Sequence, residues 1–496
     1  MHVSIIGPCS GRIAGAATLS MDGGYGIIRS QKVLCMEMKA KRRDFIKCAT
    51  VAAGFLPSFS ILGDDKNKLP EDKRPIGPDD ATINVAMIGW GAEGRVLSAS
   101  LARIPGVRVR AVCDIWRFQC QQARAFFRGY GMDVKTYEDY RDMLDKEDKN
   151  IDAVIIATPD WMHCEHTCYC LRKGKHVYCE KEMSNKLEEA AEMCRVQQET
   201  GMLLQIGHQR RSNPRYRHCF EHIVPNMLGR VTTAYAQWNR TLAPFFSVKR
   251  PPKQEILTKY GYTNAEQYLN WRWFHKYGGG SMVDLGSHQI DLFFWAWGVP
   301  PSSVTAIGGL DAFTPRRQTY DRVYCIYEFK MPDGTKNEAV YQVISSNARG
   351  GFYEQFMGTD AALTIAEISA RGNTVQRELR KGGFSDAEWQ TFIDKGWILP
   401  TEGDKIKKEV TKDIAVDTRI SAQATGNPLA VEMNKPAHMP HLENFLAACR
   451  HGEKLNCPAE LAYESAVAVL AANTAADTRK THYFKPEDFK VPPRKA

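Results

Sequence analysis

The sequence lacks the features that mark several specialised classes of protein. It has a formal net charge of +9 but no basic stripe interleaved with aromatic residues, so nucleic-acid binding is not expected. Its 14 cysteines form no CxxC pairs, and the nearest cluster, Cys164, Cys168 and Cys170, lacks the spacing of a zinc site. Hydrophobic residues (43%) and charged residues (25%) occur at the levels of soluble globular proteins, so the composition suggests neither a disordered chain nor a membrane bundle. With 496 residues, the chain is long enough for two or more domains.

Residues 1–79 are predicted to be a leader, an export signal and a linker. Arg42 and Arg43 stand in a basic head before a moderately apolar stretch of about fifteen residues, which resembles a twin-arginine export signal and is too short for a secure membrane span. The polar, proline-containing segment that follows is typical of a linker. A periplasmic or otherwise exported protein without an integral span in its mature form is expected, or a cytoplasmic one if the leader is not functional.

Residues 83–114 follow the order of a dinucleotide-binding unit: an apolar strand, a glycine loop, an amphipathic helix, a second strand and a carboxylate. Gly89 permits the tight turn, Gly91 lets backbone amides approach a pyrophosphate, and Gly94 lets the helix pack closely on the strand. Asp114 lies about twenty residues beyond Gly94, where a carboxylate accepts hydrogen bonds from a ribose diol. This pattern predicts a bound dinucleotide.

Asp114 also favours NAD over NADP, because a carboxylate at the ribose would repel a 2′-phosphate. Arg117 is close enough in sequence to weaken that repulsion, although it can equally be a solvated surface residue. NAD is therefore the expected cofactor, and NADP is the less favoured alternative.

The rest of the chain divides into three parts. In residues 80–207, apolar strands alternate with helical patterns, which predicts a Rossmann-type α/β domain with helices on both faces of a parallel sheet. Residues 208–436 show the alternation of half-buried strands, which predicts an α+β domain with a large, mainly antiparallel open sheet. Its stretch from 370 to 436 is charged and weakly periodic, so a surface elaboration is expected there. Residues 437–496 are expected to contain two closing helices.

Three further segments accompany the glycine loop, and they are ATPDWMH (157–163), CEKEM (179–183) and GGGSMVDLGSHQID (278–291). In this order, the four motifs resemble those of the glucose-fructose oxidoreductase, inositol dehydrogenase and rhizopine catabolism family, called Gfo/Idh/MocA. The resemblance implies a Rossmann domain, a sugar or cyclitol site between the two domains, and an open sheet that often mediates oligomerisation. A homo-oligomer, dimer or tetramer, is thus implied.

The resemblance also implies catalytic roles for Lys181, Asp284 and His288, with Lys181 beside the nicotinamide. Oxidising a secondary alcohol requires a base whose pKa lies near the working pH. His288 suits this role intrinsically, whereas Lys181 suits it only if burial or the positive nicotinamide ring lowers its pKa. Cofactor contacts are expected from Gly89, Trp90, Gly91, Glu93, Gly94, Asp114, Thr158, Pro159, His163, Glu180, Lys181 and Gln209.

The last motif has helical spacing. Asp284, His288 and Asp291 fall at i, i+4 and i+7, so they share one helical face, where Asp284 can orient the imidazole or bind a sugar hydroxyl. The alternative is the polar surface of an amphipathic helix. The chain departs from the family at Glu182, where a proline is usual, which leaves the backbone turn open and adds a carboxylate near the site.

Substrate contacts are expected from Arg210, Arg211, Trp273, Asp284 and His288. The two arginines could donate to sugar hydroxyls or to a carboxylate, or they could be surface residues. Trp273 could form an apolar platform for a pyranose face, or it could belong to the core. No metal ligand set is expected.

Together these patterns favour an exported NAD-dependent oxidoreductase acting on a secondary alcohol of a sugar, glycoside or cyclitol, with acid-base assistance from Lys181 and His288. One alternative is an NAD-dependent glycosidase that uses transient oxidation and elimination with recycled, bound NAD. Another is a non-catalytic sugar- or nucleotide-binding protein. The retained E-K and D-x-x-x-H motifs argue against both alternatives.

Overall fold

The structure, a computed structural model, describes most of the chain beyond the predicted linker, and its described residues are 82–242, 245–313, 315–368, 371–401 and 424–494. The predicted export signal lies outside them. Within these ranges, no helix combines the length and the apolar character needed to cross a bilayer.

The first domain is built on a six-stranded parallel sheet with the strand order β3-β2-β1-β4-β5-β6. Its strands are β1 Ile83–Ile88, β2 Val107–Cys113, β3 Lys135–Tyr137, β4 Ala153–Ile156, β5 His176–Cys179 and β6 Leu204–Ile206. Its helices are α1 Ala92–Leu101, α2 Arg117–Arg128, α3 Tyr140–Glu147, α4 His163–Arg172 and α5 Leu187–Thr200. This is the strand order of a dinucleotide-binding sheet, and the predicted Rossmann domain is confirmed.

The apolar strands of this sheet bury both faces. Along β1, Val85 and Met87 belong to one core cluster, while Ala86 and Ile88 belong to another on the opposite face. All four residues of β4 are buried. Continuous apolar runs therefore occur where helices cover the sheet on both sides.

The second domain contains a nine-stranded sheet with the order β14-β13-β12-β11-β7-β10-β9-β8-β15. Its strands are β7 Val231–Asn239, β8 Ser303–Gly309, β9 Arg322–Lys330, β10 Lys336–Ile344, β11 Phe352–Gly358, β12 Ala361–Ile365, β13 Thr374–Arg377, β14 Asn427–Pro428 and β15 His482–Tyr483. Only the pair β7 and β10 is parallel among these strands. The prediction of a large, mainly antiparallel sheet is confirmed.

The remaining helices flank the two sheets. They are α6 Pro214–His218, α7 Val224–Met227, α8 Gln254–Lys259, α9 Ala265–Leu269, α10 Gly280–Trp297, α11 Asp386–Asp394, α12 Met439–His451 and α13 Ala459–Thr478. Helices α10 and α13 pack against each other and against the second sheet. On the other face of that sheet, Ile307, Tyr324 and Ile326 are exposed, so this face is open over those strands.

Two segments near the C-terminus qualify the expected division of the chain. The charged stretch from 370 to 436 contributes β13, α11 and β14, and its residues 402–423 lie outside the described ranges. Helix α12 packs through Leu442, Phe445 and Leu446 into the core of the first sheet. The chain thus returns to the Rossmann domain after completing most of the second sheet.

Candidate active site

The glycine loop has the shape that a pyrophosphate requires. Gly89 has φ +90°, and a Cβ there would lie 2.6 Å from the Ala157 carbonyl oxygen. A Cβ on Gly94 would collide with the Gly89 carbonyl, whereas a Cβ on Gly91 would have no heavy atom within 4 Å. The loop is therefore closed towards the sheet and open at Gly91, next to the N-terminus of α1. This arrangement fits a dinucleotide pyrophosphate.

Asp114 is fixed against this loop. Its Oδ2 accepts a hydrogen bond from the Trp90 amide at 2.8 Å, and its Oδ1 accepts one from the Trp116 amide at 2.8 Å. The Trp90 ring is buried and donates from Nε1 to Ser98 Oγ at 2.8 Å. Trp90 therefore contributes its backbone amide, and not its side chain, to the surface of the loop. Burial raises the pKa of Asp114 to about 6, although both amides favour the ionised form.

The cation beside Asp114 is Arg95, which the sequence reasoning did not identify. It interacts electrostatically with Asp114 and lies over the Trp90 ring, 5.8 Å from the ring centroid. Arg117, the residue considered for this role, begins α2 and is exposed.

Thr158, Pro159 and His163 lie on the connection from β4 to α4. His163 is buried, with Nε2 2.7 Å from the Thr158 carbonyl oxygen and Nδ1 2.7 Å from the Glu182 carbonyl oxygen. Burial lowers the pKa of His163 to about 4. This residue ties the loop after β4 to the loop after β5, which carries Lys181.

Lys181 and Asp284 meet although 103 residues separate them in the chain. The Lys181 ammonium donates to the backbone carbonyl of Asp284 and lies 3.3 Å from its Oδ1. Asp284 Oδ2 accepts from Arg272 Nε at 3.1 Å and from Arg240 Nη2 at 3.3 Å. Burial alone would raise the pKa of Asp284, but its three cationic neighbours hold it well below its usual range. Asp284 is therefore a permanently ionised anchor for Lys181.

His288 lies one helical turn beyond Asp284 on α10. Its ring stacks on Trp238, with 5.8 Å between the ring centroids, and lies 6.3 Å from the ring of His208. Its Nδ1 has no hydrogen-bond partner among the described residues. Burial, followed by the charge of Lys181, lowers the pKa of His288 far below its usual value. The imidazole is thus neutral and has a free ring nitrogen.

The structure places Gln209, Arg210 and Arg211 in a short 3-10 helix, Gln209–Ser212, where internal carboxylates bind them. Arg210 donates to Glu354 at 2.7 Å and to Glu367 at 3.3 Å, and Gln209 Nε2 donates to Glu367 at 3.1 Å. Both residues keep one buried polar atom without a partner in the described part of the chain, and these atoms are Arg210 Nε and Gln209 Oε1.

Arg211 is held by the third polar residue of the α10 face. It donates from Nε and from Nη2 to the two carboxylate oxygens of Asp291, each at 2.8 Å. Ser465 also donates to Asp291 at 3.0 Å. The arginine is thus neutralised by a bidentate partner inside the protein.

Trp273 lies in an aromatic cluster that is separate from the two main cores. It is buried with Leu257, Tyr262, Phe274 and Tyr277. The Arg317 guanidinium lies 3.7 Å from the centre of its ring. One ring face is therefore covered by this arginine.

Glu180 and Glu93 face each other beside the glycine loop, together with His438. Glu93 Oε1 lies 3.2 Å from His438 Nε2, and ligand atoms from the three residues lie within 4.8 Å of one another. Burial opposes the charging of His438, but Glu93 and Glu180 outweigh it and raise its pKa. Burial and Glu93 raise the pKa of Glu180 to about 7.

Two buried carboxyl groups lie beside Lys181: Glu182, which the sequence predicts near the site, and Asp160, which it does not. Glu182 is completely buried, and its Oε1 accepts from the Met183 amide at 2.7 Å while Oε2 has no partner among the described residues. Burial raises its pKa to about 8. Burial and the charge of Asp284 raise the pKa of Asp160 to about 7. The Lys181–Glu182 peptide bond is cis.

Comparison with known families agrees with these features. Residues 83–208 match the oxidoreductase family GFO_IDH_MocA, NAD-binding Rossmann fold, and residues 253–483 match the C-terminal alpha/beta domain of the same family. The chain belongs to this family. The resemblance stated from the four motifs is thereby confirmed, and residues 83–208 form the NAD-binding Rossmann fold of this oxidoreductase family.

Individual relatives are distant. The scyllo-inositol 2-dehydrogenase (NAD(+)) of Bacillus subtilis (strain 168) is 26% identical over 300 residues, which is 59% of this chain and 78% of that protein. The scyllo-inositol 2-dehydrogenase (NADP(+)) of the same organism is 28% identical over 227 residues, 45% of this chain and 54% of that protein. The chain thus spans about half the length of the second relative.

Among solved structures, levoglucosan dehydrogenase in complex with NADH and L-sorbose matches 82% of this chain and 99% of its own, with a TM-score of 0.60 at 16% identity. At this identity the likeness concerns the fold. It extends through both domains.

Proposed function

We propose that the protein is an NAD-dependent oxidoreductase that acts on a secondary alcohol of a sugar, glycoside or cyclitol. The contact that carries this proposal joins Lys181 to Asp284 across the two domains, with the neutral His288 one turn further along α10. A lysine held by a permanent carboxylate and a neutral imidazole are the donor and the acceptor that alcohol oxidation needs.

In this mechanism each residue has a defined task. The amides of the glycine loop and the N-terminus of α1 hold the pyrophosphate, and Asp114 accepts from the ribose diol. Bound NAD supplies the hydride acceptor. Lys181 donates a hydrogen bond to the substrate hydroxyl oxygen as negative charge develops on it. The neutral imidazole of His288 is the proton acceptor in this proposal, although burial and Lys181 lower its pKa below the range that best suits a base.

The remaining expected cofactor contacts belong to the same proposal, and they are Trp90, Glu93, Thr158, Pro159, His163, Glu180 and Gln209. In this proposal NAD is preferred over NADP. Two backbone amides fix the Asp114 carboxylate beside the glycine loop, where its charge would repel a 2′-phosphate on the ribose.

The proposal also includes export through the twin-arginine-like leader and a homo-oligomer formed through the open face of the second sheet. Exposed Ile307 and Ile326 support such an oligomer, because they form apolar surface on neighbouring strands.

The catalytic assignment is tested by Lys181→Ala and His288→Ala. Each variant is expected to lose about a hundred- to ten-thousandfold in turnover, since proton transfer contributes that much, while NAD binding stays largely intact. Lys186→Ala, which removes an exposed lysine five positions away, is the matched control and should keep its activity. Near-native turnover in either site variant would remove that residue from the mechanism.

The assay should follow NADH and sugar products together. One NADH for each sugar oxidised supports the proposed dehydrogenase. Release of an aglycone without net NADH would favour the glycosidase, and binding without any turnover would favour a non-catalytic protein.

A further inference from the structure

Two arginines converge on the site from segments that no sequence motif connects. Arg240 directly follows β7, and Arg272 lies in the short 3-10 helix Trp271–Trp273. Both donate to Oδ2 of Asp284, at 3.3 and 3.1 Å. The Arg240 and Arg272 side chains are 29% and 41% exposed, whereas that of Asp284 is 8% exposed. The arginines thus lie on the solvent side of the carboxylate.

The charges at this point do not balance. Lys181, Arg240 and Arg272 surround a single ionised carboxylate, Asp284. Two further acids act on Arg272: Asp160 has a pKa of about 7 and carries only part of a negative charge at neutral pH, and Glu93 is paired with His438. Positive charge therefore remains in excess, and a bound oxidised nicotinamide ring would increase it.

The other arginines near α10 show the contrast. Arg211 has its own bidentate carboxylate, Asp291, and Arg210 is paired with Glu354 and Glu367. Arg240 and Arg272 share Oδ2 of Asp284, and Lys181 pairs with Oδ1 of the same carboxylate. These two guanidinium groups are therefore the ones whose charge remains uncompensated at this site.

Their hydrogen-bonding capacity is also incompletely used. A guanidinium carries five N–H donors. Arg272 bonds Asp284 through Nε, and neither of its terminal nitrogens has a hydrogen-bond partner among the described residues. Arg240 bonds through Nη2, while its Nε is buried without a partner in the same part of the chain. The Arg272 guanidinium lies 4.2 Å from the centre of the Trp271 ring, which restricts its plane.

We propose that Arg240 and Arg272 bind a carboxylate on the substrate, so that the substrate is a sugar or cyclitol acid of the uronate type. A planar carboxylate matches the paired terminal N–H groups of a guanidinium, and it supplies the negative charge that the site lacks. Neutral hydroxyls could accept the same hydrogen bonds but would leave the excess charge in place. The inference rests on the proposed function, because it assumes that the carboxylate belongs to the same substrate whose secondary alcohol is oxidised beside Lys181.

Binding to the full chain loaded with NADH tests the inference without turnover. The probes are glucuronate, glucuronamide and glucose, and galacturonate with galactose, titrated calorimetrically at pH 7. We expect at least one acid to bind about ten- to hundredfold more tightly than its neutral counterparts, the range of a charge-assisted hydrogen bond. That advantage should shrink in high salt.

Arg272→Gln should reduce the ratio of acid to neutral affinity by about ten- to hundredfold, and Arg272→Lys should reduce it less, because lysine keeps the charge but not the planar fork. Arg240→Gln is the second variant, chosen in case Arg272→Gln folds poorly. Arg217→Gln is the matched control, because Arg217 also pairs with a carboxylate, Glu221 at 2.7 Å, but on α6. It should leave the ratio unchanged.

The outcomes separate this inference from the proposed function. Equal affinity for acids and neutral sugars, or tight binding of glucuronamide, would overturn the inference. NADH formation from neutral sugars alone would also overturn it while supporting the oxidoreductase. Arginine-dependent binding of an acid that no assay shows to be oxidised would support the binding site and contradict the proposed oxidation.

Discussion

Replacing Glu182 by Gln is expected to change how the stability of the protein depends on pH. Glu182 is completely buried, and burial raises its pKa from 4.5 to about 8. The folded chain therefore keeps this proton up to about pH 8, whereas the unfolded chain releases it near pH 4.5. The protonated Glu182 therefore contributes its full stabilisation below pH 4.5. This contribution to the free energy of unfolding decreases as the pH rises to about 8, and above that pH it changes no further.

The size of the effect follows from the same two values. Well inside that window, each pH unit lowers the free energy of unfolding by about 1.4 kcal/mol. Because Glu182 is half ionised in the folded chain at pH 8, the fall between pH 6 and pH 8 is about 2.3 kcal/mol. For a domain of roughly 150–250 residues, 1 kcal/mol shifts the unfolding temperature by about 2–4 °C. The wild-type protein should thus lose roughly 5–10 °C over this range through Glu182 alone.

Glutamine cannot ionise, so the variant lacks this contribution. Glutamine places a buried NH2 group where Glu182 has a carboxyl oxygen. The unmet hydrogen bonds of this group lower the stability by an amount that does not change with pH. The measurement is the difference in unfolding temperature between Glu182→Gln and wild type at pH 6, 7 and 8, at fixed ionic strength. The unfolding temperature of Glu182→Gln should rise relative to that of wild type as the pH increases. Glu188→Gln, at an exposed position on α5, should keep a constant difference from wild type across the same range. Parallel curves for Glu182→Gln would refute a protonated, buried Glu182.

Two further predictions concern the cofactor. Gly91→Ala should fold normally, because its Cβ would meet no atom within 4 Å, but it should weaken NAD binding by occupying the space of the pyrophosphate. Gly94→Ala should instead lower the unfolding temperature, because its Cβ would collide with the loop backbone. Calorimetric titration and thermal unfolding separate the two effects, and normal NAD affinity in Gly91→Ala would contradict the assignment. Asp114→Ala should reduce the preference for NAD over NADP, as measured by the two dissociation constants, and tighter NADP binding by the wild-type protein would overturn the preference.

The fold could be predicted because its signals are local. Continuous apolar strands and alternating strands distinguish the two sheets, and the structure confirms both. Strand β3, Lys135–Tyr137, escaped prediction because three residues carry no measurable period and none of them is fully buried. Helix α12 was expected as a helix, but its periodicity gives no indication that it packs on the first sheet.

Only the site residues that lie within the four sequence motifs could be predicted. The pair of Lys181 and Asp284 followed from two motifs that the resemblance placed at one site. Arg240 follows a strand and Arg272 lies in a short turn, and nothing in either segment indicates that both reach one carboxylate. The partners of Arg210 and Arg211 lie 80 or more residues away, so their pairing was equally invisible in the sequence.

The acids around Lys181 differ because of their neighbours, and this gives the proposed substrate preference a pH dependence. Asp284 stays ionised beside three cations, whereas Glu182, with a pKa of about 8, keeps its proton at neutral pH and Asp160, with a pKa of about 7, is only partly ionised there. Asp291, which also acts on Glu182, is already ionised and paired with Arg211. Raising the pH from 7 to 9 completes the ionisation of Asp160 and ionises most of Glu182, while Glu180, with a pKa of about 7, also gains negative charge near Lys181. The positive excess at the site therefore decreases. Over this range the affinity for glucuronate should fall while that for glucuronamide stays level, and an affinity for glucuronate that does not change would show that these carboxyls do not govern the charge of the site.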